Sequence, residues 1–570
     1  MPIMLSSMTF SFCSRPFHSV ATLVGLCVLS GCSEGYFKKS ADREVFGIIG
    51  KKSQVVSGSE DDTLLSITPP PPVKLDVLMK SAETAAFLGE RAHIEKEARV
   101  VSLADALDFA VHRNRTYLSR KELVYLSALD LTLTRQQFGP ILDGGGGATY
   151  SETQVKTGVN NLVRTSTLST DGGLAFDYLM KTGARLAMDL TTDFTRFFTG
   201  GVHGLSDSRA AVALSQPLLR GAGVLAASEP LRQDERDVLY AIRDFTQYRK
   251  DFAVTIATQY FRVVQAREAA RNRFVAYKAA ITSIEREKAL AAANLRSQSS
   301  LKQIEQGQIT YERNWINAVR NYEEQLDDLK IALGLPVTEK IVLAKDELKK
   351  LQVVDPQGNL EQALDTALIT RLDIYNERDR LQDSSRRVKI AHQQTLPTVN
   401  ALVGYEIGTP NNNPGLELNP KQRRMSAGLD IDLNLNTKPE RNSLRSAQIS
   451  EQRSQRELEL AEEQLRNTIR SDWRGLEVAR KQYDLAQKGL ALAQKRLEIE
   501  EALMEEGQGT ARDIVESQDR LIVARDLEVS TLIDHVISRL RLWSDMGVLY
   551  IEKDGTWVDV LNKEKPKGES

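Results

Sequence analysis

Cysteine is almost absent from this chain. Its three cysteines, Cys13, Cys27 and Cys32, all lie near the N-terminus, which leaves no disulfide scaffold, CxxC redox pair or cysteine metal site in the rest. Histidine is nearly as scarce. His18, His93, His112, His203, His392 and His535 are scattered, and none sits at a ligand spacing such as HxxxH. Charge of one sign is missing too: the formal net charge is -2, and Lys and Arg are interleaved with Asp and Glu, so no basic field argues for nucleic acid. The run "DGGGG" from Asp143 lacks the GKS or GKT ending of a phosphate-binding loop and precedes a strand instead of a helix, which reads as a flexible turn. No GxSxG elbow occurs. The expectation is therefore no enzyme, with catalytic, cofactor and metal sites all none, and any work driven by partners.

Long apolar runs are also few. "VATLVGLCVLSG", preceded by Arg15, is too short to span a bilayer as a helix but suits a secretory h-region. It ends in Leu29-Ser30-Gly31-Cys32, which resembles a bacterial lipobox. Residues 1–31 are then expected as a lipoprotein signal peptide and Cys32 as the lipidated N-terminus of an exported, membrane-anchored protein. Residues 32–100 are mixed, and Pro69 to Pro72 favours extended geometry, so this stretch reads as a spacer leading away from the lipid.

What the chain does have is an internal repeat. When it is slid along itself until Ser102 falls on Asn359, "SLADALDFAV" aligns with "NLEQALDTAL", and Pro140 in "QQFGPIL" falls on Pro397 in "QQTLPTV". A duplicated unit is the economical explanation, with repeats at 101–358 and 359–548 and a tail at 549–570. Each copy has a helical stretch (about Ser102 to Phe138, and Asn359 to Thr395), strand-like alternation, a long helix, a break and another helix. The long helices run from about Ser228 to Asn294 and from about Asn442 to Glu505; their partners run from about Leu301 to Leu333 and Ala511 to Met546. At 1.5 Å per residue each long helix is roughly 100 Å and each partner about half that. Two short helices end to end would match one long helix. Heptad-like Leu, Ala and Val spacing points to coiled-coil packing in an extended tube or bundle.

The strands look two ways. In "MSAGLDIDLNLN", Met425, Ala427, Leu429, Ile431, Leu433 and Leu435 alternate with polar residues and Gly428, so one face meets something apolar and the other meets water. Similar runs lie at Val399 to Tyr405, Leu174 to Met180, Ala184 to Phe194 and Arg209 to Gln216, with a weaker one at Ala148 to Val155. An antiparallel sheet over a soluble core fits the alternation. A transmembrane β-barrel with a wet lumen fits it too, and would need several chains. Pro217, Gly221 and Gly223 in "ALSQPLLRGAG" mark a junction where a strand ends and a long helix begins; "NLNTKPERN" is its counterpart. The helix breaks "ANLRSQSSLKQ" and "EEGQGTARDI" are hairpin turns at the far end from the strands, where Gly507 and Gly509 can reverse the chain and Thr510 can cap the next helix.

Together "SLADALDFAVHRN", "NLEQALDTALITR", Pro140, Pro397, "LSQPLLRG", "LGLP" and "EEGQGTARDI" resemble the TolC family of outer-membrane efflux proteins, over about Val101 to Val548. The resemblance implies a mainly α fold with transmembrane β: a homotrimer forming an outer-membrane β-barrel continued by a long periplasmic α-helical barrel. It implies a passive export duct of a tripartite efflux or type I secretion system, coupled to an inner-membrane transporter and a periplasmic adaptor protein. By position, the adaptor-docking tips would be Arg296, Ser297, Gln298, Ser299, Ser300, Gly507, Gly509, Thr510 and Asp513, with Glu505 and Glu506 as entrance carboxylates. Two departures stand out: an extra strand pair, about Leu174 to Phe198 joined by "KTGA", where the family supplies four strands per protomer, and Pro439 displaced beyond the strand end. The alternative is a lipid-anchored periplasmic coiled-coil adaptor or scaffold, against which the two-faced strands argue.

Overall fold

The computed structural model describes residues 34–57, 78–81, 85–156, 162–199, 204–293, 298–344, 347–354, 358–409, 418–433, 435–506, 508–551 and 557–558. The first repeat contains α2 (Leu103–Arg113), α3 (Arg115–Gln137), strands β2 (Pro140–Lys156), β3 (Leu162–Leu179), β4 (Arg185–Phe197) and β5 (Leu205–Pro217), the single turn α4 (Val224–Ala227), the long α5 (Glu229–Ala292) and α6 (Gln298–Ala332). The second contains α8 (Leu360–Thr370), α9 (Leu372–Gln393), β7 (Thr398–Gly408), β8 (Arg423–Asp432), the long α10 (Lys438–Glu505) and α11 (Ala511–Asp545). Before them stand α1 (Glu34–Ser57), a 3-10 helix (Ala86–Ile94) and β1 (Arg99–Val101); β6 (Ile341–Leu343) and α7 (Glu347–Lys350) connect the repeats. Within the tail, β9 (Tyr550–Ile551) pairs with β10 (Trp557–Val558).

Both repeats open alike. Ser102 accepts from the Asp105 amide at 3.2 Å while the Asp105 carboxylate accepts from the Ser102 amide at 3.0 Å; Asn359 and Gln362 form the same reciprocal cap. The helical stretch expected as one piece is broken in each copy, at Asn114 and at Arg371, whose backbones are extended. A glycine explains each break. Gly334 (φ 70°) and Gly547 (φ 73°) close α6 and α11 in the left-handed region, where a Cβ would run into Arg113 and Thr370 respectively. Asn114 donates to the Ala332 carbonyl at 2.8 Å and Thr370 to the Met546 carbonyl, so α6 abuts α3 and α11 abuts the start of α9. Two shorter helices therefore run end to end beside each long one.

α5 spans 64 residues and α10 spans 68, roughly 100 Å each. α5 packs on α6, α10 on α11, and α11 on α5. On α10 the buried Leu465, Ile469, Leu476, Ala479 and Ala486 repeat at coiled-coil spacing. The main core gathers Leu107, Phe109, Tyr260, Phe261, Tyr322, Leu326 and Leu329. α10 begins at Lys438, earlier than the expected Asn442. Pro439 sits in its first turn, where a missing N–H costs nothing, so it starts the helix instead of ending the strand.

Residues 34–57 pack onto α3 and α5, contrary to the expected spacer there. Val45, Ile48 and Ile49 bury one stripe of α1 against α3 and α5, Tyr125 donates to Asp42 at 2.8 Å, and Lys52 donates to the Glu235 carbonyl at 2.8 Å. The mixed composition of this stretch concealed an i, i+3, i+4 stripe. β1 then pairs in parallel with β6. The Pro69 to Pro72 run lies outside the described residues.

All six long strands form one antiparallel sheet in the order β2-β3-β4-β5-β7-β8. The glycines of "DGGGG" are not a turn. They lie inside β2, with Gly145 opposite Gly173 and Gly146 opposite Gly172. Residues without side chains show no alternation, so the strand was invisible there. The added pair is larger than expected, since β3 begins at Leu162.

Candidate functional site

Register across the sheet sorts its residues into two faces. Leu142 stands opposite Phe176, Phe176 opposite Met188, and Met188 opposite Val212. Val212 in turn faces Tyr405, and Tyr405 faces Met425. With Leu174, Leu186, Leu190, Leu214, Val403, Ala427, Leu429 and Ile431 they make one apolar band across six strands. On β3 this band runs from Tyr178 to Leu168, roughly 33 Å at about 3.3 Å per residue. Tyr178 and Phe176 lie at its helical end; at the other, Tyr150 and Phe198 bring their rings within 6.3 Å. Many of these side chains are exposed, including Leu142, Leu174, Met425 and Leu429. The opposite face is polar. It carries Asp143, Asp171, Asp177, Asp189, Asp193, Asp207, Asp430 and Asp432, with Arg185 bound to Asp177 and Arg209 to Glu406, each at 2.9 Å.

At the first junction Pro217 is the last residue of β5, and Leu218 still donates to the Val399 carbonyl at 2.8 Å. Gly221 (φ 75°) and Gly223 (φ 85°) then turn the chain toward α4 and α5. The Gln393 amide, from the end of α9, donates to the Leu219 and Ala222 carbonyls at 3.2 and 2.6 Å. Arg220 reaches the buried Glu440 in the first turn of α10 at 3.3 Å and so ties the first junction to the second.

At the opposite end of the helices the described ends of α5, α6, α10 and α11 come together. Ile284, Ile304, Met504 and Val515 pack as one small cluster drawn from α5, α6, α10 and α11. Arg286 faces Glu505 at 3.9 Å, both exposed. Gln298 and Ser299 open α6, and Ser300 follows them. Glu505 ends α10 and Glu506 is its cap; Gln508 and Gly509 both donate to the Leu503 carbonyl at 2.9 Å. Thr510 accepts from the Asp513 amide at 3.3 Å and donates to its carboxylate at 2.5 Å, so Asp513 is committed to capping α11. Arg296, Ser297, Gly507 and Cys32 lie outside the described residues.

Sequence reasoning missed two buried ionic clusters. Below the first junction, Asp383 of α9 accepts from Arg236, from Tyr240 at 2.6 Å and from Arg386 at 2.9 Å, and Arg386 also reaches Glu229 at 2.6 Å. Burial pushes Asp383 up, yet the bonds from Tyr240 and Arg386 and the Arg236 charge outweigh it and hold the carboxyl below its ordinary value. The second cluster anchors the N-terminal region. Arg267 of α5 binds Glu95 through two bonds of 2.8 and 2.7 Å, and Tyr322 donates to the same carboxylate at 2.7 Å. Neither had a visible signal, since a charge-rich run such as "RDRLQDSSRR" reads as a solvated face.

His535 is fully buried on α11 with neither ring nitrogen hydrogen-bonded. Burial, then the charges of Arg539 and Arg480, lower its pKa to about 4. Among the described residues no group of three His, Cys, Asp or Glu converges on a metal position, and no helix is long and apolar enough to cross a membrane.

The family model described as outer membrane efflux protein matches residues 363–547, which lie within the repeat without the added strands. By sequence no curated protein matches. Among solved structures, the CmeC outer membrane channel of Campylobacter jejuni shares 15% identity at a TM-score of 0.57, covering 78% of this chain and 85% of its own. The MtrE outer membrane channel of Neisseria gonorrhoeae, in its open state, shares 15% at 0.56, covering 78% and 89%. The outer membrane protein VceC of Vibrio cholerae shares 15% at 0.53, covering 78% and 96%. At this identity the likeness is one of fold.

Proposed function

We propose, on the premise that this chain is a member of the outer-membrane efflux protein family, that it is the outer-membrane duct of a tripartite efflux or type I secretion system. The observation that carries this is the two-faced sheet. An apolar band of roughly 33 Å along strands tilted by about 40° is about 25 Å tall, the height of the apolar band on an outer-membrane barrel. The polar face, with its aspartates and Arg185–Asp177 and Arg209–Glu406 pairs, then lines a water-filled lumen.

One protomer supplies only part of a closed wall, and a sheet with open edges is untenable in lipid. Three copies close the ring, and their helices continue it as a tube into the periplasm. Substrates cross passively, with energy supplied by an inner-membrane transporter. A periplasmic adaptor docks at the tips around Gln298, Ser299, Gly509 and Thr510, where Glu505 and Glu506 stand at the entrance. Acyl chains on Cys32 add an anchor worth about 0.8 kcal/mol per buried CH2.

The test is membrane-extracted protein in a planar bilayer, with its mass in detergent. A conducting trimer is expected; a water-soluble monomer without channel activity refutes the duct. Cys32→Ser should abolish acylation while leaving the trimer intact, and persistent acylation would refute that assignment.

A further inference from the structure

We propose that three copies of this chain close a single barrel of eighteen strands, β8 of one protomer pairing antiparallel with β2 of the next, and that β3 and β4 are full members of its wall. This rests on the duct reading above and deepens it. Six strands per protomer stand in one sheet with unbroken registers, β3 pairing with β2 on one side and β4 on the other. The added pair is therefore neither folded over the rim nor set apart from the wall.

The two open edges fit each other. An even number of antiparallel strands makes β2 and β8 run in opposite directions, as a closing antiparallel pair requires. Both are exposed along nearly all of their described lengths, whereas β3 and β7 are mostly half-buried and β4 and β5 mix exposed with half-buried positions. Register places the apolar band on the even-numbered face of β2 (Leu142 opposite Phe176 and Tyr150 opposite Leu168), with Ile141 and Val155 on the other face, and on the odd-numbered face of β8 (Met425, Leu429 and Ile431). Only registers that set even positions of β2 against odd positions of β8 keep the apolar band continuous around the ring.

Stagger agrees as well. From Pro140, the first residue of β2, the register runs through Tyr178, Leu186, Leu214 and Val403 to Ala427. Ala427 lies well inside β8, which continues to Asp432. A sheet whose base climbs in this way has the shear that a tilted barrel needs.

Perimeters are compatible with the larger barrel. Each protomer is four helical columns wide: α3 with α6, α5, α9 with α11, and α10. Twelve columns at about 9.5 Å make a ring of roughly 115 Å. Eighteen strands spaced about 4.8 Å and tilted about 40° also make roughly 115 Å, whereas twelve make only about 75 Å. Eighteen strands therefore fit above twelve helical columns without a step in width.

The helices beneath the two sheet edges also await a neighbour. Val478, Leu485, Leu492 and Ile499 repeat every heptad on α10 yet are 51–68% exposed; Leu126, Leu133, Ile309 and Ile316 are similarly exposed on the α3–α6 column.

Two measurements on the full chain test this, each alongside trimer mass and conductance. First, Leu429→Cys is combined in turn with a cysteine at each even position of β2 from Leu142 to Tyr150, and separately with Ile141→Cys or Asp143→Cys. Oxidation should give covalent trimers with at least one even-numbered partner and with neither odd one; a conducting trimer that links through no even position overturns the edge pairing. Second, Met188→Trp or Leu190→Trp on β4 should be strongly quenched by brominated lipid above the native tryptophan background, and Asp189→Trp should not. Unquenched Met188→Trp and Leu190→Trp in conducting trimers would place the added pair outside the wall and overturn the eighteen-strand count. Non-conducting monomers would instead remove the duct reading, and this proposal with it.

Discussion

Substituting Gly509 by alanine tests whether the α10–α11 turn is a working mouth. A Cβ at this position would lie 2.8 Å from the Met504 nitrogen, 3.0 Å from its Cα and 3.1 Å from the Leu503 carbonyl carbon. All three are backbone atoms of the last helical turn, so no rotamer relieves the overlap and the turn must open. Opening it sacrifices the bonds from Gln508 and Gly509 to the Leu503 carbonyl, at about 1 kcal/mol each. A local cost of about 2 kcal/mol raises the open population roughly thirtyfold. It falls on a small tip cluster, Ile284, Ile304, Met504 and Val515, and not on the main core, so the tip should fray without unfolding the chain. Hydrogen exchange across residues 503–515 should accelerate by that factor. Trimer yield should hold, and export in cells lacking their own duct should fall. Unchanged exchange would refute the geometry; faster exchange with full export would refute the role of the tip.

Orientation of the sheet predicts opposite responses from adjacent residues: Met188→Arg, in the lipid-facing band, should cost about 2–4 kcal/mol, and Asp189→Arg, in the lumen, close to nothing. Urea unfolding of trimers in bilayers checks both, and equal costs would refute the assignment of faces. The neutral His535 makes stability pH-dependent. Its folded pKa of about 4 lies below the ordinary 6.5, so the unfolded chain binds the extra proton and stability falls as pH drops from about 6.5 toward 4. His535→Leu should flatten the urea midpoint between pH 7.5 and 4.5, and an unchanged slope would refute this. Arg267→Met leaves Glu95 buried without its partner and should cost about 3–5 kcal/mol, whereas the double variant with Glu95→Leu should cost far less. Parallel losses in thermal unfolding would show that the pair itself is the stabilising element.

Helix lengths and the repeat were legible because a hydrophobic stripe sustained over 64 or 68 residues admits no other packing. The breaks at Asn114 and Arg371 were not. They depend on Gly334 and Gly547 arriving from far along the chain, and local propensity carries no sign of that contact. Strand starts were missed where side chains vanish, as at Gly144 to Gly147, or where threonines and serines fill both faces, as at Arg164 to Thr170. The fold of residues 34–57 was hidden for a third reason: Val45, Ile48 and Ile49 form a stripe too short to stand out from its polar surroundings. At the second helix break the sequence offered Thr510 as the cap of α11, as the structure has it; that the Thr510 hydroxyl also donates to the Asp513 carboxylate needed the coordinates.

The unequal junctions follow from the added hairpin. Of the six strands, β2, β5, β7 and β8 each continue into a helix, while β3 and β4 are joined to each other at the helical end by the turn around Lys181 to Ala184. That turn has to be accommodated where β5 gives way to α5. Gly223 donates to the Thr182 carbonyl at 3.1 Å. Gly183, at φ 92°, lies so close to the junction that a Cβ there would come within 3.0 Å of the Gly221 carbonyl and 3.1 Å of Pro217. Gly221 and Gly223 redirect a strand into a helix through their positive φ, and Gly183 on the hairpin supplies the room, since only there would a Cβ meet the junction. At the second junction no hairpin intrudes, no glycine is present, and Pro439 can begin α10 directly. Arg220, held between Gly221 and the buried Glu440, couples the crowded junction to the simple one. The junction that carries the added hairpin is thus tied to the second repeat through this ion pair.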